Sequence, residues 1–427
     1  MIAAILSTLI ALGAGAAVCT ALPSRDRRFD GLFLAESYLL GIGVQAAVLF
    51  VVPWSLAMIV EATAVVVAAL WWRGKRWSFE RSEITPWNLI DLVTLVLIAG
   101  YVRFATIGPS IENDFVSIWG VKARTFFVAR GIDWTFLQQP YNAWAHLDYP
   151  LLVPLAYDFQ SIVGGAWVDR WAGVLTACFG AATLLILRSF LRDEVSRPVR
   201  AAATLILMPC AFSPFIGLAE GPMIAYGTAA LLYARRGVRD GDRADLLRAG
   251  IHLGLAASCK NEGLSLIAAV ALAMIFAGAW RRIVWLWPSV AIAAPWLIMR
   301  RVQGLRADLT QGGIFARAVE HLRDPLPILR ALAEHPPGRP LFWAGILLAL
   351  LVGVRRLPRE RFLALALVLQ LLAFVAAYVV TPHDVSWHIR WSWERIVMQL
   401  APALVFLAVV AMAGPLTRKA AFGGPVG

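Results

Sequence analysis

The feature that most constrains this chain is a series of apolar segments of one length. Residues 361–380 read RFLALALVLQLLAFVAAYVV, and stretches of the same character recur from residue 2 almost to the end. A helix needs about 20 mostly apolar residues to cross a bilayer. Within lipid the backbone must satisfy its own hydrogen bonds, so only helices and closed barrels span. These runs are continuous rather than alternating, which excludes a β-barrel. The pattern predicts thirteen spans, at 2–22, 31–52, 54–72, 88–107, 170–189, 200–217, 221–235, 247–259, 263–279, 283–299, 341–354, 361–380 and 396–414. The expected fold class is an all-α polytopic membrane protein. Its N-terminal transmembrane helices occupy 1–87, its main module 88–414 and a short tail 415–427.

Composition and charge agree with lipid as the solvent. Of 427 residues 60% are hydrophobic and 15% charged, where soluble domains carry about a quarter. The net charge of +12 raises nucleic acid as a partner, but the arginines sit in short loops between spans, as the positive-inside rule expects. Nucleic acid is therefore excluded, and membrane lipids are the expected surroundings. The basic loops are 25–28, 72–81, 188–200, 235–248, 280–282, 355–361 and 417–419. With the spans above they share one side, the cytoplasm. The opposite side receives 108–169, 218–221, 260–262, 300–340 and 381–395.

Residues 150–166 decide that parity. Asp158 and Gln160 interrupt them, so they read as an interfacial or re-entrant segment rather than a crossing. The 300–340 loop reads as a short helical cap over the outer face. Cys19, Cys178, Cys210 and Cys259 all lie in apolar runs, so no disulfide or zinc knuckle is expected. Residues 1–22 lack a basic leader and are followed by many spans, so they read as a first membrane helix.

The chemistry is concentrated in the polar excursions. The longest, IENDFVSIWGVKARTFFVARGIDWTFLQQPYNAWAHLDYPLL, carries Glu112, Asp114, Lys122, His146, Asp148 and Tyr149. So long a loop rich in aromatics is ordered and functional rather than disordered. Two acids two apart can bind a cation or act as a general base. The structural alternative is that Asp114 caps the helix that follows. Lys122 can snorkel to lipid headgroups, and Tyr149-Pro150 can anchor at the interface. His146 and Asp148 can instead reach a phosphate or a metal. Lys260-Asn261-Glu262 places charges against membrane-depth sequence, where they pair or serve a site. Its simpler reading is a turn with Lys260 paired to Glu262, and Glu220 has the same ambiguity. TPHDVSWHIRWSWER, with His383, Asp384, His388, Arg390 and Arg395, is either an interfacial Trp belt or a cationic cradle for a phosphate. No GxGxxG, Walker lysine, G-x-S-x-G or H-E-x-x-H occurs.

These motifs together resemble the GT-C class of membrane glycosyltransferases, which includes bacterial aminoarabinose transferases and protein O-mannosyltransferases. In that class a large first extracytoplasmic loop opens with an acidic motif, continues through interfacial helices and ends in a Lys/His-Pro-Pro-Leu-type motif. Here IENDFVSIWGVKARTFF stands for the first motif, Gly131-Ile-Asp-Trp134 for an intervening G-D-W, and HLDYPLLVPL for the last. SCKNEGL and TPHDVSWHIRWSWER are similar to stretches of uncharacterised bacterial members. The resemblance covers roughly 88–414. The chain departs from the pattern where Glu-Asn-Asp replaces an adjacent acidic pair and Asp-Tyr-Pro replaces Pro-Pro.

The resemblance implies a GT-C-like catalytic module in the cytoplasmic membrane with its active site outside. The implied reaction moves a sugar from a polyprenyl-phosphate donor to an envelope glycan, lipid or protein acceptor, with inversion. Asp114 is the preferred base, and Glu112 is its helper or, if a divalent metal takes part, a ligand with Asp114. Lys122, His146, Lys260, His388, Arg390 and Arg395 are expected at the donor phosphate. Asp148, Tyr149, Asn261, Glu262, His383 and Asp384 are expected at the sugar or acceptor. The rivals are a transporter or flippase, marked by acids buried mid-span such as Glu61, and a non-catalytic scaffold. Segments 111–124, 146–150 and 381–395 are expected to line one cavity.

Overall fold

The computed structural model describes residues 2–23, 29–55, 89–108, 110, 112–212, 215–305 and 313–413. The expected span at 54–72 with Glu61 lies almost wholly outside the described residues. So do Ile111, the tail after residue 413 and the basic loops at 25–28, 72–81 and 417–419. Everything regular among the described residues is helical.

The long helices are α1 (Ile2–Ala21), α2 (Gly31–Val51), α3 (Leu89–Ile107) and, after the first polar excursion, α7 (Trp171–Leu191). The excursion contributes α4 (Gly120–Ala129), α5 (Trp134–Gln138) and α6 (Leu152–Gly164). Then follow α8 (Arg197–Ala211), α9 (Glu220–Asp240), α10 (Arg243–Ala257), α11 (Glu262–Phe276) and α12 (Trp287–Val302). The last third holds α13 (Ile314–Arg323), α14 (Leu326–Glu334), α15 (Pro340–Val352), α16 (Arg361–Val379), α17 (Val385–Met398) and α18 (Ala401–Ala413).

Six helical segments among the described residues are long and apolar enough to cross a membrane: α1, α2, α3, α7, Trp280–Val302 and Val354–Val379. The α17–α18 pair, bent by 50°, makes a seventh if counted as one broken span. Several expected spans are instead shorter. The 200–217 segment is the 15-residue α8 with Pro209 inside it, and α11 and α15 are apolar but have 15 and 13 residues. At 1.5 Å per residue these reach only about 20 Å, less than the hydrocarbon core.

Close packing in this bundle relies on small residues, as expected where lipid removes the usual hydrophobic drive between helices. A methyl on Gly15 would sit 1.7 Å from the Ser37 carbonyl oxygen, and one on Gly41 1.8 Å from that of Ala11, so α1 and α2 touch backbone to backbone. α9 runs through the centre and is buried from Glu220 to Ala234. Tyr226 and Tyr233, two turns apart on one face, both reach α2, donating to the Leu39 carbonyl at 2.7 Å and to Glu36 at 3.0 Å. By contrast α3 buries only Asp91, Thr94 and Ala105 and turns an apolar surface outward, as a lipid-facing helix does.

The polar excursions fold into helices of their own. Every residue of α6 from Leu152 to Ser161 is buried, against α1, α2 and α4, so this segment does not lie along an interface with one face open. It dips into the protein, and its 13 residues are too few to cross. The 381–395 segment is mostly the amphipathic helix α17, begun by the Asp384 carboxylate accepting from the Trp387 amide at 2.7 Å. The 300–340 excursion carries α13 and α14. Arg317 and His321 of α13 meet the Val380 and Val379 carbonyls, each at 2.9 Å, while Phe315, Val319 and Leu322 face outward. A helix that docks its polar edge and exposes its apolar face fits the boundary between headgroups and acyl chains.

The two ends of the bundle differ. At one end the described basic loops touch one another: Arg235 pairs with Glu194 and Glu360, Arg282 donates to the Val238 carbonyl, and Arg361 to that of Ala277. At the other end lie the first residues of α9 and α11, the last of α10, and the Asp114 and α17 segments.

Candidate functional site

At this second end the acids and bases form one chain of ion pairs. Asp114 of the acidic motif pairs with Arg395 of α17, 281 positions away in sequence. The Arg395 Nε lies 3.5 Å from Glu220 at the start of α9. Glu220 also takes Lys260 at 3.2 Å, and Lys260 reaches Glu262 at 2.8 Å. Glu220 and Lys260 are buried, at 2% and 5% exposure, whereas the Asp114 and Arg395 side chains keep 24% and 20%. Asp114 and Arg395 at one end of the chain of ion pairs, and Glu262 at the other with 21%, are thus its accessible members around the buried Glu220–Lys260 pair.

Local sequence explains this placement. The backbone at Asp114 is already helical and its side chain makes no capping hydrogen bond, so the capping alternative does not describe it. A π-turn over Phe115–Trp119 continues into α4 and turns Phe115, Ile118 and Trp119 inward. π-turns of this kind recur at functional sites. The turn from α10 to α11 is tight because residue 263 is glycine: a methyl there would lie 2.3 Å from the Ala257 amide nitrogen. That turn projects Lys260 between Glu220 and Glu262. Burial alone would push Lys260 down, but the two carboxylates outweigh it and hold its ammonium above the usual lysine range.

The tip at 146–150 packs against the same turn. The Leu152 amide donates to the Ser258 carbonyl at 3.1 Å, and Asn261 donates to the Asp148 carboxylate at 2.9 Å. Arg300 lies 3.8 Å from that carboxylate, and the Trp296 indole donates to the Asp148 carbonyl at 3.2 Å. His146 adopts a left-handed backbone (φ 48°) and stacks on Tyr149 with ring centres 4.7 Å apart. Lys122 is fully buried, donates to the His146 carbonyl, and lies over the Trp119 and Tyr149 rings at 5.7 and 5.6 Å. It therefore does not snorkel to lipid. Its position fixes the tip.

On α17 the His388 Nδ1 is 2.8 Å from the Thr381 hydroxyl, and its ring meets Tyr378 and His383 edge-on at 5.0 and 5.6 Å. Burial, with His383 beside it, pushes the His388 imidazole below its ordinary value, to about 4, so the ring is neutral near pH 7. Arg390 instead lies on the exposed face over Trp391 at 5.7 Å, away from the ion-pair chain. Asp384 serves as the helix cap already described. Glu112 is half-buried just before the π-turn, its carbonyl accepting from the Val116 amide at 3.0 Å. Among the described residues no three His, Cys, Asp or Glu side chains gather as a metal site.

Of the three segments expected to line one cavity, 111–124 meets α17 through Asp114–Arg395 and meets the 146–150 tip through Lys122 and the Trp119–Tyr149 rings, and no described cavity encloses all three. Glu220, which the sequence leaves open between pairing and a site role, is the central acid, and Arg300, one of a basic pair ending a span, is the member that sequence reasoning missed. No protein-family model, curated protein or solved structure matches this chain.

Proposed function

We propose that this chain is a GT-C-like membrane glycosyltransferase with about 13 spans. In this reading it moves a sugar from a polyprenyl-phosphate donor to an envelope glycan, lipid or protein acceptor on the extracytoplasmic face of the cytoplasmic membrane. One observation supports the reading best: the acidic motif of the first excursion pairs through Asp114 with Arg395, beside the buried Lys260–Glu220 pair. A carboxylate next to fixed cations, at one end of membrane-length helices, is what such a transfer requires.

The acceptor hydroxyl attacks the anomeric carbon as Asp114 takes its proton. The bond from that carbon to the phosphate oxygen breaks, and the phosphate leaves with the electron pair. Attack opposite the leaving group inverts the anomeric centre. Arg395 and Lys260 stabilise the departing phosphate, which preorganised cations do well in a partly dry site. His388, which burial holds neutral near pH 7, offers the phosphate a hydrogen bond rather than a charge. Lys122 holds the His146–Tyr149 tip, and Asp148, Asn261, Glu262 and His383 border the sugar or acceptor. If a divalent metal takes part, Glu112 and Asp114 hold it. The test is transfer by purified protein from a panel of polyprenyl-phosphate sugars, with nucleotide sugars as controls. Turnover of the nucleotide sugars alone would overturn the donor assignment.

Sidedness follows from charge, because the arginine-rich end belongs in the cytoplasm. A single cysteine at position 386, exposed on α17, should react with a membrane-impermeant maleimide in intact cells. One at position 239 should react only after permeabilisation. Labelling of position 239 in intact cells reverses the orientation.

A second reading, transport of a solute or lipid, is favoured by a different cluster. Glu36 of α2 is buried with Arg248, Tyr233 and His252, and polar groups inside spans often mark a translocation path. Cargo uptake by proteoliposomes, with no donor consumed, would support it.

A further inference from the structure

The end of the bundle remote from Asp114 encloses a cavity of about 600 Å³. It is formed where α9 and α11 end and α16 begins, so the same helices that begin or end at the candidate site reach it at their other ends. Arg235, Arg239, Arg281, Arg282, Arg359 and Arg361 line it, with Glu360 as the one lining acid. Arg235 is consumed by the fold, held by Glu360 at 2.5 and 2.6 Å and by Glu194 at 2.8 Å. Arg239 shares Glu194 and also takes Asp240 at 2.8 Å. The other arginines at the opening have no such ion pair among the described residues. Arg282 and Arg361 donate to the neutral Val238 and Ala277 carbonyls, and Arg281 lies over Trp280 at 5.1 Å. Six guanidinium groups therefore face three carboxylates, Glu360, Glu194 and Asp240, and the excess positive charge sits on the exposed rim.

The surface that leads into this rim is apolar. Leu272, Ile275 and Phe276 lie on one face of α11, spaced as helical neighbours, and are exposed. Phe276 directly precedes the lining residues Ala277 and Gly278. On the other flank Trp280, Val284 and Trp287 are exposed as well. At Gly278 the backbone turns with φ 78° and no atom lies within 4 Å of where a side chain would start, so the mouth is roomy.

We infer that this cavity binds the headgroup of an anionic phospholipid, its phosphate among the rim arginines and its acyl chains along the exposed face of α11. Basic pockets between membrane helices select such headgroups. A soluble phosphate would use the arginines but gain nothing from the apolar approach, whereas a lipid uses both. This site is independent of the proposed sugar transfer, and its loss leaves the Asp114 cluster untouched.

The test is native mass spectrometry and thermal unfolding of the full chain in detergent. The probes are phosphatidylglycerol, phosphatidylcholine with the same acyl chains, and glycerol phosphate. Wild type should retain phosphatidylglycerol and be stabilised by it, and phosphatidylcholine should do neither. The double variant Arg281→Gln/Arg359→Gln should bind phosphatidylglycerol about 30-fold more weakly, the usual scale for two surface arginines. Arg281→Lys/Arg359→Lys should recover most of that loss. Equal retention of the two lipids, or undiminished phosphatidylglycerol binding by the folded Gln variant, would overturn the proposal. Glycerol phosphate binding as tightly as the lipid would overturn its lipid part. If the Gln variant does not fold, the comparison of lipids on wild type still decides.

Discussion

Replacing Asp114 by Asn should lower sugar transfer by about 100-fold or more while the protein stays folded, the usual cost of removing a general base. Asn keeps the shape and an oxygen that can still accept from Arg395, and Arg395 retains Glu220 at 3.5 Å. This end of the cluster is partly open, so losing the negative charge there costs little stability. Donor binding should change little, because the phosphate meets the cations. Glu112→Gln should cost less, since the Arg395 pairing belongs to Asp114. Activity and thermal stability of both variants in one detergent check this. Near-normal turnover in Asp114→Asn would move the base to Glu112 or Asp148.

The largest stability effect is expected at Lys260. Lys260→Met keeps the chain length but leaves the buried Glu220 with only the more distant Arg395, and Glu262 without its ammonium. Removing one partner of a buried pair costs roughly 3–5 kcal/mol, because the other charge stays desolvated. Adding Glu220→Gln to Lys260→Met should recover much of the loss, since a neutral amide is cheaper to bury there. Thermal unfolding in nanodiscs reads both changes. Wild-type stability of the single variant would show that Glu220 and Lys260 do not depend on one another.

Much of this arrangement is legible in the sequence because lipid makes charge conspicuous. Asp114, Lys260 and Arg395 stand out as ionisable groups beside apolar runs, and the structure joins them through Glu220. What the sequence conceals is pairing across distance. Glu220 is one acid before Gly-Pro, and nothing local announces that it accepts two cations from opposite parts of the chain. Lys122 reads as a snorkelling lysine because helical spacing does not reveal that the 146–149 tip folds over it. Asp114 has a cap as the structural alternative to its role as base, and Asp384 reads as a site acid, yet the structure makes the second one the cap. Cap preference is a property of residue type, and which acid caps depends on where its neighbours hold the backbone. Span lengths mislead in the same way. Apolar residues such as those of α6 are buried by protein as readily as by lipid, and composition does not separate the two solvents.

The central claim is that the Asp114–Arg395–Glu220–Lys260 cluster is a transfer site for a lipid-phosphate sugar. The most direct measurement is consumption of labelled polyprenyl-phosphate sugars by the protein in nanodiscs, wild type against Asp114→Asn. The account predicts that at least one donor is consumed with release of polyprenyl phosphate, and that the substitution abolishes this while the protein remains folded. Consumption at the same rate by both proteins would contradict it, as would wild type that leaves every donor intact in the presence of envelope acceptors.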